Sequence, residues 1–195
     1  MTAISPLQTI HKKGFFGDHH KKKESDLIKI SEEKNLYIFQ IFQYKESKLQ
    51  TKNLKIDNLE FNFESCKVLS NKDTRILWTG PNTWLAISKK ESISKTIKKN
   101  FDSKNFAVTD ISHSRAIIQI QGFHSKEVLK KGCPINLNKF EKNNCAGTVF
   151  HGITIVVDCI NDNPNAFNLL TLRSFGESLY HHITDASLEY GYISL

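Results

Sequence analysis

Arginine is scarce in this chain of 195 residues: of its 27 basic residues, 24 are lysine and 3 are arginine. Base-edge recognition and bidentate phosphate contacts favour the planar guanidinium group. The formal net charge of +7 therefore does not predict a specific nucleic-acid function. The charge excess lies in the first hundred residues, where 19 basic and 11 acidic side chains give +8. We expect a solvated basic surface or a face for an acidic partner, and no nucleic acid.

Grouped glycines and known catalytic motifs are also lacking. The 9 glycines form no phosphate-cradling loop of the G-x-x-x-x-G-K-[ST] or G-x-G-x-x-G type. Neither H-E-x-x-H nor G-x-S-x-G occurs. From the residues alone we therefore expect no nucleotide cofactor bound by this chain.

Cysteine is sparse, with four residues at positions 66, 133, 145 and 159 and no C-x-x-C pair. None stands at zinc-ligand spacing from a histidine, so we expect no metal site. Cys133 lies between Gly132 and Pro134, in a setting that invites a nucleophile. No local histidine or helix N-terminus is placed to activate the thiol. We interpret it as a buried or interfacial thiol in a turn.

Long hydrophobic runs are missing too. No stretch approaches the roughly 20 apolar residues of a membrane helix. The sequence opens without the apolar region of a secretory signal. We expect a cytoplasmic protein with no membrane partner.

Residues 1–34 are predicted to form a polar N-terminal arm, because charges, glycines and histidines alternate there without periodicity. Phe15 and Phe16 interrupt this composition. Two explanations stay open for the pair: an anchor on another subunit, or packing against this chain's own core.

Residues 35–195 are predicted to form a single α+β domain, with two intimate lobes as an option. Strand patterns occur at 36–43, 59–63, 106–112, 115–122, 145–150, 153–160 and 166–173. Residues 75–88 are predicted to form a strand, a turn at Gly80 and Pro81, and a second strand. Single helices are predicted between them, at 90–101 and 124–132, and after them from residue 174. In the first helix Ile93, Ile97 and Phe101 are spaced four residues apart and should form its buried face. Strand pairs interrupted by single helices are typical of mostly antiparallel sheets.

Helix-capping patterns make the helix predictions more specific. Ser125 is the predicted N-cap of the second helix, and Gly132 its end. Ser174 and Glu177 match a capping box for the last helix. The buried face of that helix should then contain four apolar residues: Phe175, Leu179, Ile183 and Ala186.

The segment Asp110–Arg115 (DISHSR) contains the residue types of a catalytic triad, but a working triad draws its members from separate elements. We therefore predict a polar corner at a strand end. The three arginines stand at 75, 115 and 173. Structural pairing is the default interpretation for each, and an intersubunit pair is the alternative, above all for Arg173.

Several segments in a fixed order resemble the gamma subunit of heterotetrameric sarcosine oxidase. They cover most of residues 75–190 and include SPL at 5–7, LWTGPNTWL at 77–85, DISHSRAIIQIQG at 110–122, LKKGCPINL at 129–137, CAGTVFHG at 145–152 and LRSFGESLYHHI at 172–183. The resemblance implies a fold like the folate-binding domain of glycine-cleavage aminomethyltransferases.

The same resemblance implies partners and cofactors. The partners would be the alpha, beta and delta subunits, which hold FAD, FMN, NAD and tetrahydrofolate and oxidise the N-methyl group of sarcosine. It offers no catalytic, cofactor-binding or metal residue in this chain. The candidate partner-interface residues are Phe15, Phe16, Cys133 and Arg173. The alternative function is a free-standing folate-dependent one-carbon transferase or folate-binding protein, for which Asp110 and Asp158 are the nominated pterin contacts.

Overall fold

The computed structural model describes residues 4–61 and 64–195, the side chain of Asn53 excepted. Within this part of the chain, three α-helices lie between or after β-strands: α1 Ile93–Asn100, α2 Ser125–Lys130 and α3 Gly176–Ser187. The strands are β1 Gly14–Phe16, β2 Ile28–Glu32, β3 Tyr37–Gln43, β4 Lys55–Ile56, β5 Leu59–Glu60, β6 Val68–Ser70, β7 Thr74–Gly80, β8 Thr83–Ser88, β9 Phe106–Asp110, β10 Arg115–Gln121, β11 Cys145–Phe150, β12 Ile153–Asp162, β13 Asn165–Leu172 and β14 Tyr192–Ser194.

The chain divides into two compact units. The first contains residues 4–34, 113–142 and 147–195, and the second contains residues 35–112 and 143–146. Each unit has its own main β-sheet.

The first unit is built on a seven-stranded sheet with the strand order β1-β14-β2-β10-β13-β12-β11. The pairs β1–β14, β2–β10, β10–β13 and β13–β12 are antiparallel, and the pair β14–β2 is parallel. One face of β10 presents Ala116, Ile118 and Ile120, all buried. Helix α3 packs on this face, where a Cβ at Gly176 would lie 3.0 Å from the Cβ of Ala116. Alternate residues of one strand therefore form the sheet side of this core.

Residues 4–34 belong to this unit, so they are not the separate polar arm that the sequence predicted. Strand β1 pairs with β14 at the end of the chain, and β2 pairs with both β14 and β10. Leu7 is completely buried. The prediction failed because β1 has only three residues, and its partner strand stands at the other end of the sequence, where local periodicity gives no signal.

The second unit contains a five-stranded antiparallel sheet in the order β6-β7-β8-β3-β9 and the short hairpin β4–β5. Helix α1 buries Ile93 and Ile97, and Phe101 at its C-cap is buried too, as the four-residue spacing predicted. Phe61 meets the rings of Trp84 and Phe101 edge-on, with centroids 4.8 and 5.2 Å apart. The core of this unit is therefore aromatic.

The predicted turn between β7 and β8 is present, with Pro81 and Asn82 as its two loop residues. Asn82 adopts a φ of 56°, a left-handed conformation that asparagine tolerates better than most residues. The predicted strand at 59–63 is seen at Leu59–Glu60, while Asn62 and Phe63 lie outside the described residues.

Two capping predictions are wrong. Ser125 is the first residue of α2 rather than its N-cap, and its Oγ donates to the carbonyl of Gly122 at 2.7 Å. Residues Arg173–Phe175 form one 3-10 turn before α3, so Ser174 precedes the cap position and makes no capping box. This extra turn leaves Phe175 46% exposed, whereas Leu179, Ile183 and Ala186 are buried as predicted.

Candidate functional surfaces

Cys133 lies in the turn that follows α2 and is 6% exposed. Its backbone N–H donates to the carbonyl of Leu129 at 2.9 Å, which closes the end of the helix. A Cβ at Gly132 would come within 2.8 Å of the ring of Phe150, so glycine is needed for this close approach. Burial raises the pKa of the Cys133 thiol to about 12. A thiol with that pKa is a poor nucleophile, and the predicted buried turn thiol is what the structure contains.

Two of the other three cysteines are buried as well. Cys145 and Cys159 are buried, and Cys66 is exposed. Burial, followed by the nearby charge of Asp162, raises the pKa of Cys159 to about 12. Across residues 4–61 and 64–195, no three side chains of His, Cys, Asp or Glu are close enough to hold a metal ion.

The DISHSR segment contains the predicted polar corner at the end of β9. The Asp110 carboxylate accepts from the backbone N–H and the hydroxyl of Ser112, at 2.9 and 2.6 Å. The same hydroxyl oxygen accepts from the backbone N–H of Ile38 at 2.9 Å. Ser112 is therefore used to join two strands and is not placed as a nucleophile.

Arg173 lies at the edge of a cleft of about 910 Å³ in the first unit. Its guanidinium donates to the carbonyl of Ile4, and its backbone N–H donates to the carbonyl of Ser114 at 2.9 Å. Thr9 donates to Glu177 at 2.7 Å across the same cleft. These contacts tie residues 4–9 to the start of α3, and the Arg173 guanidinium contributes one of them through the carbonyl of Ile4.

Phe15 and Phe16 point in different directions, as alternation in β1 requires. The Phe16 ring stacks on Tyr192, with centroids 5.2 Å apart and an angle of 20°. Phe15 is 54% exposed. Phe16 therefore packs within its own unit, as one explanation predicted. Phe15 faces outwards, which leaves it available for the contact with another subunit that the other explanation predicted.

Sequence reasoning missed a surface that contains Phe15. We call it the aromatic strip and define it by six residues that stand on contacting segments of the first unit: Phe15, His19, Leu188, Tyr190, His124 and Phe123. They come from three separate parts of the chain. The sequence contains one indication of this surface. Phe123 directly follows Gly122, where the strand pattern ends, so neither that strand nor the next helix accounts for its apolar side chain.

A polar row crosses the sheet of the first unit. Register pairs Ser31 with Gln119, Gln119 with Asn168, and Asn168 with Asp158, so their side chains share one face. The Gln119 amide donates to the Oδ1 of Asn168 at 3.2 Å and to Glu33 at 3.3 Å. Asp158 is completely buried, in contrast to Asp110. Of the two nominated aspartates, Asp158 is the one in a buried polar environment.

Among the residues that the structure describes, no helix is both long and apolar enough to cross a membrane.

Comparison with known proteins gives relatives of one kind, although no family model matches the chain. The chain is 27% identical over 120 residues to sarcosine oxidase subunit gamma of Corynebacterium sp. (strain U-96), covering 60% of this chain and 58% of the relative. It is 26% identical over 124 residues to the gamma subunit of Corynebacterium sp. (strain P-1), covering 62% and 60%. The resemblance to sarcosine oxidase gamma subunits is confirmed. The matched region spans less than two thirds of the length of these relatives.

Solved structures confirm the α+β fold. The chain superposes on a chain of heterotetrameric sarcosine oxidase from Corynebacterium sp. U-96 in complex with pyrrole 2-carboxylate with a TM-score of 0.76 and 18% identity, covering 96% of this chain and 95% of that one. It superposes on glycine cleavage system aminomethyltransferase T from Bartonella henselae with a TM-score of 0.64 and 10% identity, covering 91% of this chain and 56% of that one. Both likenesses agree with the fold that the gamma-subunit resemblance implied.

Proposed function

We propose that this chain is the non-catalytic gamma subunit of a heterotetrameric sarcosine oxidase in the cytoplasm. In this proposal the alpha, beta and delta subunits are its partners, and they hold FAD, FMN, NAD and tetrahydrofolate. The complex demethylates sarcosine oxidatively to glycine and transfers the one-carbon unit to tetrahydrofolate. The observation that carries the proposal is the agreement between sequence and fold, since the gamma-subunit relatives and the superposed sarcosine oxidase chain point to one kind of assembly.

The chemistry of the described side chains supports a structural role. The thiols of Cys133 and Cys159 have pKa values of about 12, so at neutral pH they are almost entirely protonated. Ser112 donates to Asp110 and joins two strands. A nucleophile has to be activated and free to attack. The two thiols stay protonated, and the Ser112 hydroxyl oxygen is held by the backbone N–H of Ile38.

Co-expression tests the proposal directly. The chain purified alone should be colourless and inactive towards sarcosine. A tagged copy expressed with the large flavoprotein subunits from the same genome should purify as a yellow assembly that produces hydrogen peroxide when sarcosine is added. An assembly of unchanged yield, composition and rate after deletion of this chain would contradict the proposal.

A second candidate function, folate binding by the isolated chain, is favoured by the polar row. A buried carboxylate beside amide side chains could accept hydrogen bonds from the N–H groups of a pterin ring. Calorimetric titration of the isolated chain with tetrahydrofolate separates the two functions. Heat of binding that disappears in Asp158→Asn would favour the second candidate, and no heat at millimolar ligand would remove it.

A further inference from the structure

The members of the aromatic strip stand on three segments of the first unit that contact one another. The ring of Phe15 lies 6.0 Å from the ring of His19. Between them in sequence, the N–H of Asp18 donates to the carbonyl of Leu188 at 2.8 Å, which brings this segment to the end of α3. Lys22 donates to the carbonyl of Tyr190 at 3.3 Å and holds the same two segments together.

The strip continues from Tyr190 through stacked rings. Tyr190 stacks on His124 with centroids 4.7 Å apart and an interplanar angle of 15°. His124 meets Phe123 edge-on, with centroids 5.1 Å apart. The ammonium group of Lys131 lies 5.0 Å from the Tyr190 ring centroid and donates to the carbonyl of Ala186 at 2.6 Å. The rings are therefore held in place before any partner arrives, which lowers the entropic cost of binding.

Three members of the strip expose large apolar side chains. Phe123 is 76% exposed, Phe15 54% and Leu188 43%. Isolated exposed apolar residues are common on protein surfaces, but a connected set of them marks an interaction site. Aromatic anchors fixed by their neighbours are also the residues that dominate binding energy at protein interfaces.

The charge of the segment that carries Phe15 and His19 indicates what kind of partner the strip binds. Residues 11–23 contain five lysines and one aspartate, a net charge of +4, and they include Phe15 and His19. The aspartate, Asp18, pairs with Lys22 at 2.8 Å, so positive charge prevails in this segment. A second copy of the chain would bring another +4 against it, which like-charge repulsion disfavours. Arginine, the residue that favours nucleic acid, is absent from the strip and from residues 11–23.

We propose that the aromatic strip is the surface by which this chain docks on an acidic, apolar-centred face of a partner subunit. The phenylalanines would fill apolar pockets of that face, and the lysines of residues 11–23 would meet its carboxylates at the rim. This inference rests on the proposed function, because it assumes an assembly of unlike subunits. It adds the region of this chain that carries the contact and the chemistry of the surface that receives it.

A binding titration tests the proposal. The probe is the assembly of the remaining subunits prepared without this chain, titrated with the full-length chain. Phe123→Ser and Phe15→Ser should each weaken binding roughly 10-fold, as expected for aromatic hot spots. Phe42→Ser is the matched control, because Phe42 is 37% exposed and belongs to the second unit, and it should bind as the wild type does. Far-ultraviolet circular dichroism and urea midpoints verify that all three variants fold.

Charge reversal provides an independent readout. Lys12→Glu combined with Lys13→Glu should slow association and reduce the dependence of affinity on salt, because rim charges act mainly on the association rate. If affinity and salt dependence match those of the wild type, the acidic partner face is wrong.

The outcomes separate the two levels of the proposal. If the wild-type chain does not bind the other subunits at all, the proposed function itself fails. If it binds and the phenylalanine variants bind equally well, the docking surface is wrong while the proposed function stands. The docking surface would also be wrong if Phe123→Ser left subunit binding intact and abolished a different interaction. The interactions to measure are self-association, binding to random duplex DNA and binding to vesicles of phosphatidylserine.

Discussion

The close approach between residues 17–18 and the end of α3 can be tested by placing a methyl group at Gly191. This glycine has a φ of +70°, and a Cβ there would lie 2.5 Å from the carbonyl oxygen of Asp18 and 2.8 Å from its carbonyl carbon. Both atoms are backbone, so they cannot rotate away. Gly191→Ala therefore combines backbone strain with overpacking.

Two other glycines separate these contributions. Gly152 has a φ of +84° and nothing within 4 Å of its Cβ position, so Gly152→Ala carries the strain alone. Gly147 also has open space and no left-handed φ, so Gly147→Ala carries neither. Left-handed backbone costs a residue with a Cβ about 1–2 kcal/mol, and overpacking costs about 1–3 kcal/mol.

We expect Gly191→Ala to lower the free energy of unfolding by about 2–5 kcal/mol and Gly152→Ala by about 1–2 kcal/mol. Gly147→Ala should be neutral or slightly stabilising, because alanine restricts the unfolded chain. Urea unfolding followed by circular dichroism measures all three. The melting temperature should fall by about 2–4 °C for each kcal/mol in a chain of this length. Equal stabilities for Gly191→Ala and Gly152→Ala would refute the contact between Gly191 and Asp18. They would also refute the packing of residues 17–18 against the segment that follows α3.

Further predictions concern the thiols and the partly buried carboxylate of Asp57. At pH 7.5 a maleimide should label one cysteine of the native chain, the exposed Cys66, and all four after denaturation; rapid native labelling of Cys133 would contradict its pKa of about 12. Desolvation raises the pKa of Asp57, but the hydrogen bonds from Lys90, Thr74 and Asn71 outweigh it and hold that pKa below 3.8. The Asp57 carboxylate therefore stabilises the fold above about pH 4, and this contribution is lost as pH falls through the lowered pKa. Asp57→Asn should reduce the free energy of unfolding at pH 7, measured by urea titration, by about 1–3 kcal/mol, and this difference should shrink below pH 4. A difference independent of pH would show that the charge is not the cause.

Local patterns in the sequence predicted those elements whose partners are near in the chain. The β7–β8 pair, with its turn at Pro81–Asn82, and the buried face of α1 follow from periodicity and turn residues alone. Long-range pairing could not be predicted in this way. Strand β1 depends on β14, and neither is long enough to show a period. The strands at 106–110 and 115–121 are consecutive in sequence but lie in different sheets.

The same difference between local and long-range contacts applies to the candidate functional residues. The buried thiol of Cys133 was predictable because its neighbours in sequence offer no base and Pro134 follows it directly. The aromatic strip was not predictable, because Phe15, Phe123 and Tyr190 stand on segments that are far apart in sequence and contact one another only in the folded unit. The position of Phe175 was not predictable either. The capping pattern placed Phe175 on the buried face of α3, but the 3-10 turn before the helix leaves this side chain exposed.

Turnover per bound flavin in the complete assembly tests the central claim, that this chain supplies shape and not reactivity. We expect the assembly with Cys133→Ala to produce peroxide from sarcosine at the wild-type rate per flavin, and the chain by itself to produce none. Sarcosine-dependent turnover by the isolated chain that Cys133→Ala abolishes would contradict the account.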